Sequence, residues 1–236
     1  MRRMTEPVIH RVTALDLKVK QRQWAFAAER RGEIEAHFAK VREQKPEVWN
    51  GRVLIGCNPR LSEDRFSADY FETDFASFLA WRDWDFPDRT VFNGFGMGAL
   101  LSSDGAFVLG EMGAHTANAG RIYFPAGTPD PGDVRDGMLD IEGSVVREIE
   151  EETGLTPADY TMDAQWHIVC AAARIAMIRI LRANMSGQAL AARIEKTLSG
   201  QMRPELAAVH LVRGRHDVSP AMPPFVRVFL EAQLPA

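Results

Sequence analysis

Three glutamates in the second half of the chain are spaced so that a helix would bring them onto one side. They are Glu148, Glu151 and Glu152, at relative positions zero, three and four. On an isolated helix, each like-charged pair four residues apart is destabilised by about 0.2–0.5 kcal/mol. A bound cation reverses this effect, and magnesium takes carboxylate, water and phosphate oxygens as ligands. The spacing therefore predicts a helix that can bind a complex of a metal ion with a diphosphate.

The apolar side of the same helix tests the plainer interpretation, in which such glutamates only face water. Val145, Val146 and Ile149 form that side. At about 100° per residue, Glu152 lies only about 60° from Ile149, at the edge of the apolar stripe. A purely solvated charged face would lie on the opposite side. The pattern thus favours a partly buried glutamate.

Both ends of this helix carry residues that are typical of helix caps. Gly154 follows the last turn, where a left-handed C-terminal residue is expected. At the start, Asp140 or Ser144 can accept hydrogen bonds from the first backbone N–H groups. The sequence predicts that the helix ends at about Thr153 and follows a loop rich in proline, glycine and aspartate, residues 125–137.

The stretch from Arg147 to Leu155 resembles the second half of the Nudix box, the motif of the Nudix hydrolases. The box is written G-x5-E-x7-R-E-U-x-E-E-x-G-U, where U is aliphatic. All seven defined positions of its second half are matched, by Arg147, Glu148, Ile149, Glu151, Glu152, Gly154 and Leu155. The resemblance implies an enzyme that hydrolyses a pyrophosphate bond with magnesium, or with manganese as an alternative metal.

The resemblance also implies roles for individual residues. Glu148, Glu151 and Glu152 would hold the metal, and Arg147 would orient the glutamates. The base that accepts the proton varies within the family, and Glu151 and Glu152 are the first candidates here. Glu205, just before a predicted strand, is an outside candidate, and its plainer interpretation is an ordinary loop residue.

The first half of the box departs from the family pattern. Nineteen residues separate Gly127 from Arg147, whereas the motif has thirteen. We interpret Gly127 as the opening glycine, followed by a longer loop; counting without a gap instead puts Asp133 in the glycine's place. With the longer loop, Asp140 most nearly takes the place of the early glutamate, and Glu142 is a weaker candidate.

The elements that must position this helix alternate in type along the chain. Helices are predicted over Lys20–Glu43, Phe75–Trp84, Gln188–Ser199 and Pro224–Ala232. Strands are predicted over Arg52–Cys57, Phe66–Thr73, Gly96–Ser102, Ala106–Gly110, Arg121–Phe124, Leu206–Val212 and parts of Ile168–Ala183. Asn58-Pro59 is expected to close the first strand, and Asp104-Gly105 indicates a tight hairpin. Strands interleaved with a few helices predict an α+β fold rather than a doubly wound sheet.

The length of 236 residues allows two parts. We expect an N-terminal α/β extension over residues 1–90, with the boundary near residue 90. For residues 91–236 the resemblance implies the Nudix fold, a mixed β-sheet between helices.

Four further segments suggest a substrate. The loop Phe124–Pro131 and the upstream segments Asn50–Val53, Phe75–Leu79 and Met97–Leu100 are similar to those of Nudix hydrolases that split UDP-glucose and UDP-galactose. This resemblance implies UMP and a sugar 1-phosphate as products. It also implies that residues 1–90 help to form the nucleotide pocket.

Two other classes of function stay open. One is a different Nudix substrate, such as ADP-ribose, a dinucleoside polyphosphate, coenzyme A or an oxidised nucleotide. The other is a non-catalytic module that binds a nucleotide, although the intact glutamates count against it. The aromatic cluster of Trp81, Trp84 and Phe86 can stack on a base, but such clusters more often form the core between two parts of a chain.

Composition limits the partners. The net charge of −4 and the isoelectric point of about 5.9 argue against nucleic acid as a partner. No apolar run reaches 18 residues, so we expect no membrane span. Cys57 and Cys170 form no disulfide framework, which predicts the cytoplasm. The expected partner is a small nucleoside diphosphate derivative, and the oligomeric state is open between monomer and homodimer.

Overall fold

The structure, a computed structural model, describes residues 7–235 and has the α+β architecture that the sequence predicts. Residues 1–6 and 236, at the outer ends of the two expected parts, lie outside the described residues. The strands are β1 (Val8–Val12), β2 (Ala14–Val19), β3 (Arg52–Leu61), β4 (Arg65–Asp74), β5 (Val91–Leu101), β6 (Phe107–Met112), β7 (Ile122–Tyr123), β8 (Val134–Arg135), β9 (Met138–Leu139), β10 (Tyr160–Ala171), β11 (Arg174–Ala183) and β12 (Leu206–Val212). The helices are α1 (Ala25–Glu29), α2 (Arg31–Gln44), α3 (Phe75–Asp83), α4 (Ile141–Thr153), α5 (Gly187–Gly200) and α6 (Pro224–Gln233).

Strand β5 connects the two parts of one mixed sheet. From Asn93 onward it pairs in parallel with β11, whereas Val91 and Phe92 pair with β3 in the antiparallel sense. The hydrogen-bonded order is β1-β10-β11-β5-β3-β4-β2-β9-β8. Strand β6 pairs with the end of β5 through the predicted hairpin, and β7 and β12 pair with β6. Every other part of the sheet is therefore positioned relative to β5.

Helices cover both faces of β5. A side chain at Gly96 or Gly98 would collide with Val145 or Ile149 of α4, so the glycines let this helix lie close to the strand. Residues of a strand alternate between its two faces. Phe95 accordingly points to the other face, where its ring contacts Phe225 of α6 at a centroid distance of 5.5 Å. The sheet thus lies between α4 and α6.

A second, smaller core lies under helices α1 to α3. Trp81 is fully buried at its centre, with its ring 4.7 Å from that of Phe86. The indole Nε1 of Trp81 donates a hydrogen bond to the backbone oxygen of Asp88. Trp84 packs against the same core from a partly buried position. Of the two interpretations of this aromatic cluster, the structure supports the packing one.

The predicted single helix over Lys20–Glu43 is wrong. The chain forms two helices, because the backbone leaves the helical region at Arg30 (φ −108°, ψ 21°). The residues before Ala25 are not helical, since Lys20 continues the backbone pairing beside β4 and the Trp24 indole donates a hydrogen bond to Asp88. These long-range contacts outweigh the helical propensity of the segment.

The first predicted strand is longer than expected. Asn58-Pro59 does not close it: β3 continues to Leu61 past a bulge between Cys57 and Arg60. Asn58 adopts φ 53° in this bulge, a conformation that asparagine tolerates better than most residues. Strands β1 and β2, before residue 20, have no counterpart among the predicted elements.

Backbone pairing crosses the expected boundary near residue 90. Strand β1 pairs with β10, with Val8 opposite Cys170, and β3 pairs with β5. The division into residues 1–90 and 91–236 stays a prediction. Among the helices of the described chain, none is both long enough and apolar enough to cross a membrane.

The close packing of α4 on β5 can be tested at Gly98. A methyl group there would lie 2.8 Å from both Ile149 Cδ1 and Leu181 Cδ1. We expect Gly98→Ala to lower the free energy of unfolding in urea by about 1–3 kcal/mol, because overpacking forces these side chains to move. As a control, Gly32→Ala in α2 meets no atom within 4 Å and is expected to be neutral or stabilising by about 0.5–1 kcal/mol. Equal stability of the two variants would contradict the close approach.

Candidate active site

Helix α4 holds the three glutamates in place through its caps and its apolar side. The Asp140 side chain accepts a hydrogen bond from Gly143 N at the start, and Gly154 ends the helix with φ 69°. Both caps are as predicted. Val145 and Ile149, on the apolar side of α4, are buried against β5. The other edge of that apolar side therefore faces the loop that precedes the helix.

Glu152 is a buried carboxylate with one free oxygen. Only 5% of the residue is exposed. Its Oε1 accepts a hydrogen bond of 3.2 Å from Ala126 N, whereas Oε2 is buried without any hydrogen-bond partner. A buried oxygen without a partner is costly, since burial removes its water. Glu152 is therefore a group that a ligand would stabilise.

Glu148 lies directly against Gly127. A side chain at Gly127 would overlap the Glu148 carboxylate, so the glutamate would have to move to admit one. The loop is held in place at several points: Pro125 O accepts from Gly98 N, and Pro129 O accepts from Leu54 N at 2.7 Å. The opening glycine proposed from the sequence is thus the residue that lets the loop approach the carboxylate.

Burial and mutual repulsion raise the pKa of both glutamates. Burial raises the pKa of Glu148 to about 7, with Arg147 opposing the shift and Glu151 and Glu205 adding to it. Burial and the neighbouring Glu148 raise the pKa of Glu152 to about 8, although the Ala126 N–H lowers it. Carboxylates with raised pKa values favour a bound proton or a bound cation over free charge. Without a cation, this site is electrostatically strained.

The other two candidate carboxylates lie at the rim. The Glu151 side chain is 60% exposed, and its Oε2 is 3.7 Å from Arg147 Nη1. Glu205 is exposed but close enough to raise the pKa values of Glu148 and Glu152, and its backbone oxygen accepts from Gly113 N. The structure thus brings Glu205 near the helix glutamates.

Arg147 is bonded to a residue that the sequence did not single out as its partner. Its Nη2 donates to Asp133 Oδ1 at 2.8 Å and its Nη1 donates to Glu148 Oε1 at 2.7 Å. Asp133 is buried and closes a 3₁₀ turn that Asp130 caps. The ion pairs raise the pKa of Arg147. Arg147 therefore links the loop to the first glutamate of the helix.

The two candidates for the early glutamate have other contacts. Asp140 caps α4, and Glu142 forms an ion pair with Arg179 on β11. Between the opening glycine and α4, the carboxylate that contacts Arg147 is that of Asp133. The sequence carried a local signal for this, because the string Asp130-Pro131-Gly132-Asp133 is typical of a capped turn.

The carboxylates fit a divalent cation. Magnesium prefers oxygen ligands. Glu152 offers an unpartnered buried oxygen, and the raised pKa values of Glu148 and Glu152 reflect a negative charge that a cation would compensate. Within residues 7–235, no three acidic, histidine or cysteine side chains are yet gathered around one point. The exposed Glu151 is free to complete the set.

A cavity of about 460 Å³ opens beside the loop that contacts the two glutamates. Ala126 and Gly127, which contact Glu152 and Glu148, form one end of it. Alternate residues of β5 form its floor, namely Asn93, Phe95 and Met97. One face of α3 forms a wall through Phe75, Phe78 and Arg82, and Arg174 lies at the start of β11. Met97, Ala126 and Gly127 belong, like Phe75 and Phe78, to segments singled out from the sequence. Asn93, Phe95, Arg82 and Arg174 belong to none, and only the fold brings them together.

Comparison with known proteins finds no family model and no curated protein that matches this chain. Some solved structures resemble part of it. A MutT protein from Methanosarcina mazei Go1 is 18% identical over 60% of this chain and 91% of its own, with a TM-score of 0.38. RenU, a Nudix hydrolase from M. smegmatis, is 15% identical over 61% and 86%, with a TM-score of 0.37. The C-terminal domain of mouse MUTYH, in complex with human PCNA, is 12% identical over 59% and 88%, with a TM-score of 0.35. Likenesses at these TM-scores carry no argument about activity, which has to come from the site.

The raised pKa of Glu152 predicts how stability depends on pH in metal-free protein. In the unfolded chain a glutamate titrates near pH 4.3, whereas folded Glu152 titrates at about 8. Between these values the folded state holds a proton that the unfolded state has lost, so stability falls as the pH rises through this window. We expect Glu152→Gln to gain in melting temperature relative to wild type as the pH is raised from 5 to 8 in EDTA.

The matched control is Glu150→Gln, an exposed glutamate of the same helix. Its melting temperature should follow the wild type at each pH. A difference between Glu152→Gln and wild type that does not change with pH would contradict the buried, proton-holding state of Glu152.

The contact between Asp133 and Arg147 predicts a structural cost when the charge is removed. Asp133→Asn replaces a buried acceptor of two hydrogen bonds, from Arg147 and from Asp130 N. We expect a loss of about 1–3 kcal/mol in the free energy of unfolding, as for hydrogen bonds to charged groups. Asp136→Asn, at an exposed position of the same loop, should change stability by less than about 0.5 kcal/mol. Similar urea midpoints for both variants would show that the ion pair does not hold the loop.

Proposed function

We propose that this chain is a pyrophosphohydrolase of the Nudix type that uses magnesium, or manganese as an alternative, to hydrolyse a nucleoside diphosphate derivative. The single observation that carries the proposal is the carboxylate pair formed by the buried Glu152 and the partly buried Glu148. Glu152 has an unpartnered oxygen and Glu148 lies against Gly127. The loop residues that contact them, Ala126 and Gly127, line a cavity of nucleotide size. Such an anionic pair near a cavity is well suited to a cation that carries an anionic ligand.

The reaction requires water to attack one phosphorus while the anhydride P–O bond breaks and a carboxylate takes up a proton from the water. When bound, magnesium would neutralise the charge that develops on the phosphate oxygens. Glu148, Glu151 and Glu152 would hold it. Arg147, fixed by Asp133, positions the carboxylate of Glu148.

Glu151 and Glu152 remain the first candidates for the base. Glu151 is exposed at the rim and carries only a long contact with Arg147, so its carboxylate can reach a water molecule. Glu205 is the third candidate, and its proximity to both buried glutamates strengthens it. A general base of this kind contributes about 10²–10⁴-fold to the rate.

We further propose a UDP-sugar as substrate, with UMP and a sugar 1-phosphate as products. The Phe75 and Phe78 rings line the cavity, which supports stacking of a flat base or a sugar face. Because α3 supplies part of the wall, residues 1–90 would contribute to the substrate pocket.

The setting that we propose is the cytoplasm, in line with two cysteines that form no disulfide. The proposed partner is the small nucleotide substrate, and neither nucleic acid nor a membrane is proposed as a partner. The chain would act as a monomer or a homodimer.

The decisive experiment measures magnesium-dependent release of UMP from UDP-glucose, beside ADP-ribose, coenzyme A and diadenosine polyphosphates. We expect UMP release that EDTA abolishes. Glu152→Gln should lower kcat by about 10²–10⁴-fold, as expected for loss of a metal ligand or base. Glu150→Gln, the exposed neighbour, should retain wild-type kcat.

The outcomes separate chemistry from substrate. Turnover of another nucleotide, with the same dependence on Glu152 and magnesium, would support the proposed hydrolase activity and contradict the UDP-sugar as its substrate. If magnesium and a nucleotide raise the melting temperature but none of the nucleotides is turned over, the result would favour a binding module. Full activity in Glu152→Gln would refute the proposed site.

A further inference from the structure

The end of the cavity away from the glutamates is basic. Arg82 on α3 and Arg174 at the start of β11 both line it. They are close enough that Arg82 lowers the pKa of Arg174, in addition to the larger effect of burial. Two cations held together in a partly buried wall repel each other. Such an arrangement needs either an acidic partner in the protein or an anionic ligand.

The protein supplies little of that compensation. Arg82 donates through Nε to Asp83 at 3.0 Å, which leaves its two terminal amino groups without a partner in the described part of the chain. The Arg174 side chain makes neither a hydrogen bond nor an ion pair within residues 7–235. It lies over the Phe86 ring, 4.7 Å from the centroid, and Asp85 acts on it only weakly from a distance. Donors of both guanidinium groups therefore remain free.

A third polar group beside them is also unsatisfied. Asn93 on β5 lies opposite Arg174 in the strand register, and it lines the same cavity. Its Oδ1 is buried without a hydrogen-bond partner. Asn93 gives this end of the cavity an amide next to the two cations. Packing of Arg174 on Phe86 does not explain why the amide is left unpaired.

The basic end and the glutamate end are separated along β5. Asn93 and Met97 both face the cavity, and four residues of a strand span about 13 Å. Met97 is next to Gly98, whose backbone is bonded to the loop at Pro125. A diphosphate bound at Glu148 and Glu152 would therefore not reach Arg174, and only the far end of an extended ligand would.

We propose that Arg82 and Arg174 bind a second anionic group of the substrate, at the end remote from the bond that is hydrolysed. The free Asn93 Oδ1 would accept a hydrogen bond from a substrate hydroxyl beside that group, since an amide oxygen cannot bind an anion. This inference rests on the proposed function, because it assumes that the diphosphate lies at the glutamates. The anionic group is a carboxylate or a phosphate monoester, since both match the planar donors of arginine. If the substrate is a UDP-sugar, the second anionic group belongs to the sugar, which is then acidic rather than a neutral hexose.

The experiment compares substrates in matched pairs that differ in one anionic group. UDP-glucuronate against UDP-glucose tests the carboxylate, and coenzyme A against dephospho-coenzyme A tests the phosphate monoester. We expect wild-type kcat/KM to favour the acidic member of one pair by roughly 10–100-fold, the range for hydrogen bonds to a charged group. The pair that shows the preference identifies the source of the anion.

Substitutions of the two arginines test whether they cause the preference for the acidic substrate. Arg174→Gln and Arg82→Gln should each reduce the ratio of kcat/KM between the acidic and the neutral member to less than about threefold. Arg174→Lys, which keeps the charge but not the planar donors, should retain part of it. Arg60→Gln, an exposed arginine outside the cavity, is the control with the same change in charge and should leave the preference intact. Melting temperatures without ligand confirm that each variant folds.

The readouts distinguish this inference from the proposed hydrolysis. If no substrate is turned over, the rise in melting temperature with each member of both pairs replaces kcat/KM. A larger rise with the acidic member, lost in Arg174→Gln, would support the basic subsite even though hydrolysis had failed. Equal responses to both members of each pair, or a preference that survives in Arg174→Gln and Arg82→Gln, would overturn it.

Discussion

The contact of α4 with β5 fixes the geometry of the whole site. Gly96 and Gly98 leave the strand without side chains on one face, and Val145 and Ile149 fill that space. This contact sets the rotation of the helix about its axis, and with it the direction in which the glutamates point. The same strand presents Phe95 and Met97 to the cavity on its other face. Carboxylates and cavity floor are therefore positioned by one element.

The site also concentrates charge of both signs that ion pairs within the protein compensate only in part. Glu148 and Glu152 repel each other at one end of the cavity, and Arg82 and Arg174 do so at the other. The two pairs lie on different elements, the glutamates on α4 and the arginines on α3 and β11. A protein selected only for stability would have little reason to keep either pair. The free energy of folding that is lost here is recovered when a ligand with matching charges binds.

The sequence predicted the features that depend on local chemistry. The caps of α4, the buried edge at Glu152, the hairpin at Asp104-Gly105 and the α+β class follow from spacing and turn residues. The features that the sequence did not predict depend on contacts between distant segments. The non-helical conformation of the residues before Ala25 depends on pairing with β4 and on Asp88, and the partner of Arg147 depends on a turn in the long loop. The meeting of Arg82 with Arg174 depends on the pairing of β5 with β11, which no short motif encodes.

The way β5 is held has a consequence for how ligands are recognised. Its first residues belong to the ladder with β3 and the rest to the ladder with β11, and the short connection from α3 leads directly into it. A hinge between the two walls of the cavity would have to break one of these ladders. Entry of a ligand then requires no large rearrangement, so its association rate would be set by diffusion and orientation. Differences in affinity among related nucleotides would appear in how long each one stays bound.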